Sequence, residues 1–120
     1  MKLPETLEVS LSSLAELAVE CWRLERWAAS FGPDAPVSPA RHVARRLGRF
    51  LGERELSVLD LTGRPYEPGL AVEVVDVVRD ARAPAGLEVV EEMLTPIVLW
   101  RGTVVRHGQV IVRKAVNCES

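Results

Sequence analysis

Little in this 120-residue chain is equipped for chemistry. It holds two histidines and two cysteines, and no histidine lies at ligand spacing from a cysteine or carboxylate, so no metal centre is expected. His42 falls among arginines that would repel a cation, and His107 stands in a turn. No phosphate-cradling glycine loop and no Ser-His-Asp or Cys-His spacing is present, which argues against an enzyme and a bound cofactor. Glu91-Glu92 and Asp76 with Asp80 read as solvated acids, because neighbouring residues of a strand point to opposite faces. Cys21 and Cys118 lie far apart, one in a helical pattern and one in a polar tail, which argues against a disulfide framework and for free thiols in a reducing compartment. Cys118 is also one place short of a prenylation box. No apolar run approaches the roughly 20 residues of a membrane span. The start, MKLPETLEVS, lacks the apolar centre of a signal peptide, so a soluble, cytoplasmic protein is expected. With 15 basic and 17 acidic residues, net charge -2, neither sign dominates, which argues against bulk attraction to nucleic acid or anionic membrane and leaves only local patches to provide it.

What is present suits a folded domain: 48% of residues are hydrophobic and 27% charged. From Ser13, which with Glu16 fits a capping box, the period is helical. Leu14, Leu17, Cys21, Leu24, Ala28 and Phe31 recur at spacings of three and four, the seam of a helix packed lengthwise on a partner. Ala15, Val19 and Trp22 widen one flank and Trp27 the other, more apolar surface than one neighbour covers. GPDAPVSP at 32–39 is a loop. Ser38 as cap and Pro39 in the first turn open a second helix, which Gly52 ends. Its apolar face is Ala40, Val43, Ala44, Leu47, Phe50 and Leu51. Its other face carries Arg41, Arg45 and Arg49, a stripe read as solubilising and ion-paired to Glu16, Glu20 or Glu25. Leu14, Leu17, Cys21, Leu24, Ala28, Phe31, Val43, Leu47 and Phe50 are the expected dimer interface, two hairpins forming a four-helix bundle.

After Glu55 the period moves towards two. Strands are expected at 56–61, 70–78 and 87–94, separated by TGRP, YEPG and the loop at 81–85. Arg101-Gly102 and His107-Gly108 read as tight turns within Leu99–Lys114, so that stretch is expected to form a small antiparallel meander. The expected class is α+β: a helical dimerisation region at 1–54, a compact β module at 55–115 and a tail at 116–120. Trp100 and Arg106 flank a hairpin turn and are residue types favoured as interface anchors.

A helical pair, a strand ending LDLTGRPYEP and a valine-rich module closing GTVVRHGQVIVRKA together resemble the GrpE family, the nucleotide exchange factors of DnaK-type chaperones. Gly63, Pro65, Tyr66, Glu67 and Pro68 resemble the Gly-x-Pro-Phe-Asp-Pro stretch that opens the family's β module. Gly102, Val104, Val105, Arg106, Val110, Val112 and Lys114 fit its close, and Leu24-Glu25-Arg26 resembles the Leu-Glu-Arg of its bundle helix. The chain differs in having Ala71-Val72-Glu73 where the family carries His-Glu-Ala, His107-Gly108 after the arginine, and no counterpart of the family's long paired helix. The resemblance implies a homodimeric co-chaperone whose β module docks on a DnaK-type nucleotide-binding domain and weakens ADP binding, with Arg106, Trp100, Tyr66 and Arg101 as contacts. Two other readings stay open. One is an adaptor of the same fold without exchange activity, and the other a nucleic-acid-binding dimer using the Arg41–Arg49 stripe.

Overall fold

The computed structural model describes residues 3–82 and 86–115. The expected tail at 116–120, with Cys118, and part of the loop at 81–85 lie outside the described residues. The architecture is α+β, two helices followed by two small sheets, as the periodicities require. The chain divides into two compact units, with the boundary between Leu56 and Ser57.

In the first unit α1 runs Leu11–Ala29 and α2 Ser38–Glu53. The cap of α1 is Ser10, not Ser13: Ser10 is extended, and its hydroxyl accepts from the Ser13 N–H at 3.1 Å. The Ser10 carbonyl accepts the Leu14 N–H at 3.2 Å, so the first helical bond forms one turn earlier. Nor does Ser38 cap α2. The Val37 carbonyl accepts the Arg41 N–H at 3.0 Å, so the helix opens one residue earlier, without a side-chain cap and with Pro39 in its first turn. Gly52 does not end it either. The chain leaves through Glu55, a non-glycine residue at φ 65, whose N–H donates back to the Gly52 carbonyl at 2.9 Å.

The helices pack antiparallel through small residues. The Cys21 thiol reaches the Ala44 carbonyl at 3.5 Å, and a Cβ on Gly48 would lie 3.5 Å from Glu25 Oε1. Arg41 wraps the end of α1, its Nη2 donating to the carbonyls of Ala28, Phe31 and Gly32 at 3.2 to 3.5 Å. That places a cation at the negative end of a helix dipole, on carbonyls of which Ala28 and Gly32 also accept backbone N–H groups. The expected pairing of Arg41 with glutamates of α1 is replaced by this cap, and Glu20 pairs with Arg23 at 2.6 Å.

The second unit holds β1 (Leu56–Leu59), β2 (Val72–Asp80), β3 (Glu88–Thr95), β4 (Ile97–Trp100), β5 (Thr103–Arg106) and β6 (Gly108–Ala115), β1 spanning the boundary. The sheets are ordered β1-β4-β5 and β2-β6-β3. The expected meander is therefore half right: β4 and β5 form an antiparallel hairpin, but β6 leaves it and becomes the centre of the other sheet. There it pairs parallel with β2 and antiparallel with β3. The physical reason is Gly108, which makes no left-handed turn. A Cβ there would stand 2.7 Å from Met93 Cε, 2.9 Å from Thr95 O and 3.2 Å from Ile97 N. Glycine lets β6 start against the β3–β4 corner instead of folding back on β5. From that point Gly108, Val110 and Val112 alternate inward. They join Val90, Met93, Ile97 and Val98 in the core, each buried valine removing about 1.5 to 3 kcal/mol of apolar surface cost.

A bulge between Val90 and Glu92 leaves Glu91 out of the ladder. Its carboxylate meets Arg113 of β6 at 2.6 Å, and Asp80 of β2 lies 3.9 Å from the same guanidinium. Glu91 and Asp80 are thus ion-paired across three strands, not simply solvated acids as their spacing implies.

Candidate partner-binding surface

The β4–β5 hairpin presents most of the residues expected to meet a partner. Its turn is Arg101-Gly102, at φ 51 and 78. A two-residue hairpin turn with both centres left-handed matches the twist of its strands, and glycine meets that demand freely. Arginine does not, at roughly 1–2 kcal/mol for an L-residue in this region. Its guanidinium lies over the Trp100 ring, 4.4 Å from the centroid, a contact that offsets about 0.5–1 kcal/mol of that strain at an exposed site. The turn therefore holds an arginine stacked on a half-buried tryptophan.

Pairing places Trp100 opposite Thr103 and Arg106 opposite Val98. Val98 is fully buried and anchors β4, while Arg106 is exposed at the open end of β5. The register shift between Val98 and Leu99 leaves Val105 as an extra residue just before Arg106. So the structure groups Trp100, Arg101 and Arg106 on one hairpin.

Tyr66 is not on it. It follows a segment laid along the outer edge of β3: Gly63 N–H donates to Val90 O at 2.8 Å, Val90 N–H to Arg64 O at 2.9 Å, and Tyr66 N–H to Glu88 O at 2.8 Å. Tyr66 is half-buried and belongs to the rim of the other sheet.

In the helical unit, Cys21 and Ala28 of the expected dimer seam are buried within the single chain, and so is Ala44. Leu14, Leu17, Leu24 and Leu47 are half-buried, whereas Phe31, Val43 and Phe50 are exposed. Trp27 is exposed too and meets Phe31 edge-on, with centroids 4.8 Å apart. Leu17 and Leu24 stand seven residues apart, to one side of the Cys21–Ala28 contact line, whereas Phe31, expected on the same seam, lies beyond the end of α1. Val43, Leu47 and Phe50 occupy the corresponding side of α2, because antiparallel helices turn towards each other across their line of contact. Burial pushes the Cys21 thiol up from its ordinary value, and the charge and hydrogen bond of Glu25 push it further in the same direction. Of the arginine stripe, Arg41 is occupied as a helix cap, while Arg45 and Arg49 are exposed.

Among the described residues no cluster of histidine, cysteine and carboxylate could hold a metal ion, and no helix is long and apolar enough to cross a membrane. What the hairpin can do chemically is bind: a flat aromatic and two guanidiniums suit a surface that offers carboxylates and an apolar contact. No protein-family model and no curated protein matches the chain.

Proposed function

We propose that this protein is a GrpE-like co-chaperone, a homodimer that binds the nucleotide-binding domain of a cytoplasmic DnaK-type chaperone and promotes ADP release. The observation that carries the reading is the β4–β5 hairpin, where the GrpE-like closing pattern Gly102, Val104, Val105, Arg106 falls on the turn and β5, with Trp100 and Arg101 stacked beside it. The mechanism needs no reaction on this chain. A protein that binds the open form of a nucleotide cleft more tightly than the closed form weakens ADP binding by that difference. A thousandfold effect requires about 4 kcal/mol of differential binding, within reach of a few anchors. Arg106, Trp100 and Arg101 supply the anchors, and Tyr66 a contact on the neighbouring sheet. The exposed apolar stripe of Trp27, Phe31, Val43 and Phe50, with half-buried Leu17, Leu24 and Leu47, supports pairing of two helical hairpins.

Two experiments test this reading. Tagged protein and its Arg106→Ala variant are used to capture partners from the native cytosol. A DnaK-type chaperone held by the wild type and lost by the variant supports the assignment; equal retention removes Arg106 from it. Release of a fluorescent ADP analogue from the captured chaperone, followed by stopped flow, then separates exchange factor from adaptor. The adaptor reading draws on Ala71-Val72-Glu73, which departs from the family pattern, and expects binding with no acceleration of release.

A further inference from the structure

The sheet β2-β6-β3 has two outer edges, and the protein treats them differently. The edge of β3 is covered by the 63–66 segment, with Pro65 bridging Val89. The nine-residue edge of β2 has no strand beyond it among the described residues. A long uncovered edge is a template for another strand, and proteins normally shorten or cover it. Here it remains long and rich in valine, with Val74, Val75, Val77 and Val78 37 to 43% exposed.

The two faces of this edge differ in chemistry. Val74 pairs with Val110 and Val77 with Val112, both buried, so the rows of the core run out to the rim at Val74 and Val77 and stop in solvent. Glu73 pairs with Gln109 and Asp76 with Ile111, on the opposite face. The irregularity at Val75 sets this division, because without it Asp76 would share a face with Val74. Over Val72–Val77 a strand added to β2 would thus place alternate residues beside valines and beside carboxylates; further on Val78 joins the carboxylate face and Arg79 the valine face.

We infer that the outer edge of β2 is a docking site for an extended peptide that alternates apolar and basic residues, added as a fourth strand. Charge selects this occupant over a second copy of the chain. Antiparallel self-pairing that keeps both cores on one face sets Val74 opposite Val77 of the other copy and Glu73 opposite its Val78. It gathers Glu73 and Asp76 of both copies on the other face, where the cation of that face, Arg113, is already paired to Glu91 and Asp80. A lysine- or arginine-bearing strand satisfies the same carboxylates. The inference is independent of the reading proposed for the β4–β5 hairpin, since no residue is common to both.

The test uses the full chain and a fluorescein-labelled peptide, Thr-Val-Lys-Val-Lys-Val-Thr, with its glutamate counterpart as control, read by fluorescence anisotropy. Wild type should bind the basic peptide at least tenfold more tightly than the acidic one. Glu73→Lys with Asp76→Lys should invert that preference. Val77→Pro should abolish binding: the Val77 N–H donates to Asp76 Oδ1 at 2.8 Å, so proline there removes no bond to β6 yet blocks an added strand. Equal affinity for both peptides, or an unchanged preference in the doubly charge-reversed variant, overturns the inference. So does self-association of wild type in sedimentation velocity that is lost in Val77→Pro, because it would make the occupant a second copy. The charge-reversed variant alters two exposed side chains and gives up one edge bond, from the Val77 N–H to Asp76, with no bond to β6 lost, so the test stands even if the proline variant fails to fold.

Discussion

Replacing Gly108 with alanine adds one methyl group at the corner where β3, β4 and β6 converge. Met93 Cε, 2.7 Å from the new carbon, is the end of a flexible side chain and can swing away. Thr95 O at 2.9 Å and Ile97 N at 3.2 Å are backbone atoms on either side of Pro96 and cannot. Relief must come from withdrawing β6. That strand is held at this point by the Gly108 N–H to Ala71 O at 3.0 Å and the Gln109 N–H to Thr95 Oγ1 at 3.1 Å. Overpacking of this kind costs about 1–3 kcal/mol, and loss of one of the two hydrogen bonds adds about 1. The expected loss is therefore about 2–4 kcal/mol, a large share of a small unit's stability. Amide hydrogen exchange at Val110 and Val112 reads it within the β unit, independently of the helices. Met93→Ala in the same chain should rescue little, because the backbone contacts remain. Gly52→Ala is the control: nothing lies within 4 Å of its Cβ position inside α2, and it should stabilise by about 0.5–1 kcal/mol. A Gly108→Ala protein within about 0.5 kcal/mol of wild type, below the range expected for overpacking, would refute the close approach as the reason β6 leaves the hairpin.

Other consequences are simpler to measure. Because the Cys21 thiol is held above its ordinary value in the folded chain, the neutral form is favoured on folding. Its stabilising contribution is complete below the unfolded thiol value, about 8.5, and is lost as pH rises through the folded one. Stability in a urea series should fall above about pH 8.5 in wild type and less in Cys21→Ala, and alkylation of Cys21 should be slow until the helices open. Arg41→Met keeps the aliphatic stem but uncovers the carbonyls of Ala28, Phe31 and Gly32. A loss of about 1–2 kcal/mol in thermal unfolding is expected, and little change would mean that water caps α1 equally well. Arg101→Gly removes both the left-handed arginine and its stack on Trp100, so its melting point should stay near wild type while partner capture weakens.

Helix and strand positions followed from periodicity because each element shows its own repeat. The half-buried stripe of α1 at spacings of three and four, and the inward Gly108, Val110 and Val112 of β6, are visible without coordinates. The caps lie one to three residues from where cap types alone place them, since Ser10 and Ser13 are equally good types for α1 and α2 opens on Val37 with a backbone bond and no side-chain cap. The path of β6 was not visible. A glycine needed for a positive φ and one needed for a close approach look identical in sequence, and His107-Gly108 is of the second kind. The same limit hid the ion pairs of Arg113, because the bulge that frees Glu91 depends on pairing between segments far apart in the chain. Of the expected contact residues, Trp100, Arg101 and Arg106 share a hairpin because they are local in sequence. Tyr66 falls on the other sheet, whose formation depends on long-range pairing.

That departure of β6 also bears on how the hairpin can act as a binding element. A hairpin extended into a meander would transmit a partner's pull on Arg106 only along its own short ladder. Here β6 starts two residues beyond Arg106, locked by Gly108 at the β3–β4 corner, and it carries the pairing of both β2 and β3. Force or ordering at Arg106 therefore reaches the central strand of the second sheet through one residue, His107. The turn end of the hairpin is fixed separately, by the arginine stacked on Trp100. If the proposed docking holds, a surface tied at both ends would lose little conformational entropy on binding, leaving more of the contact energy for discriminating between two states of the partner.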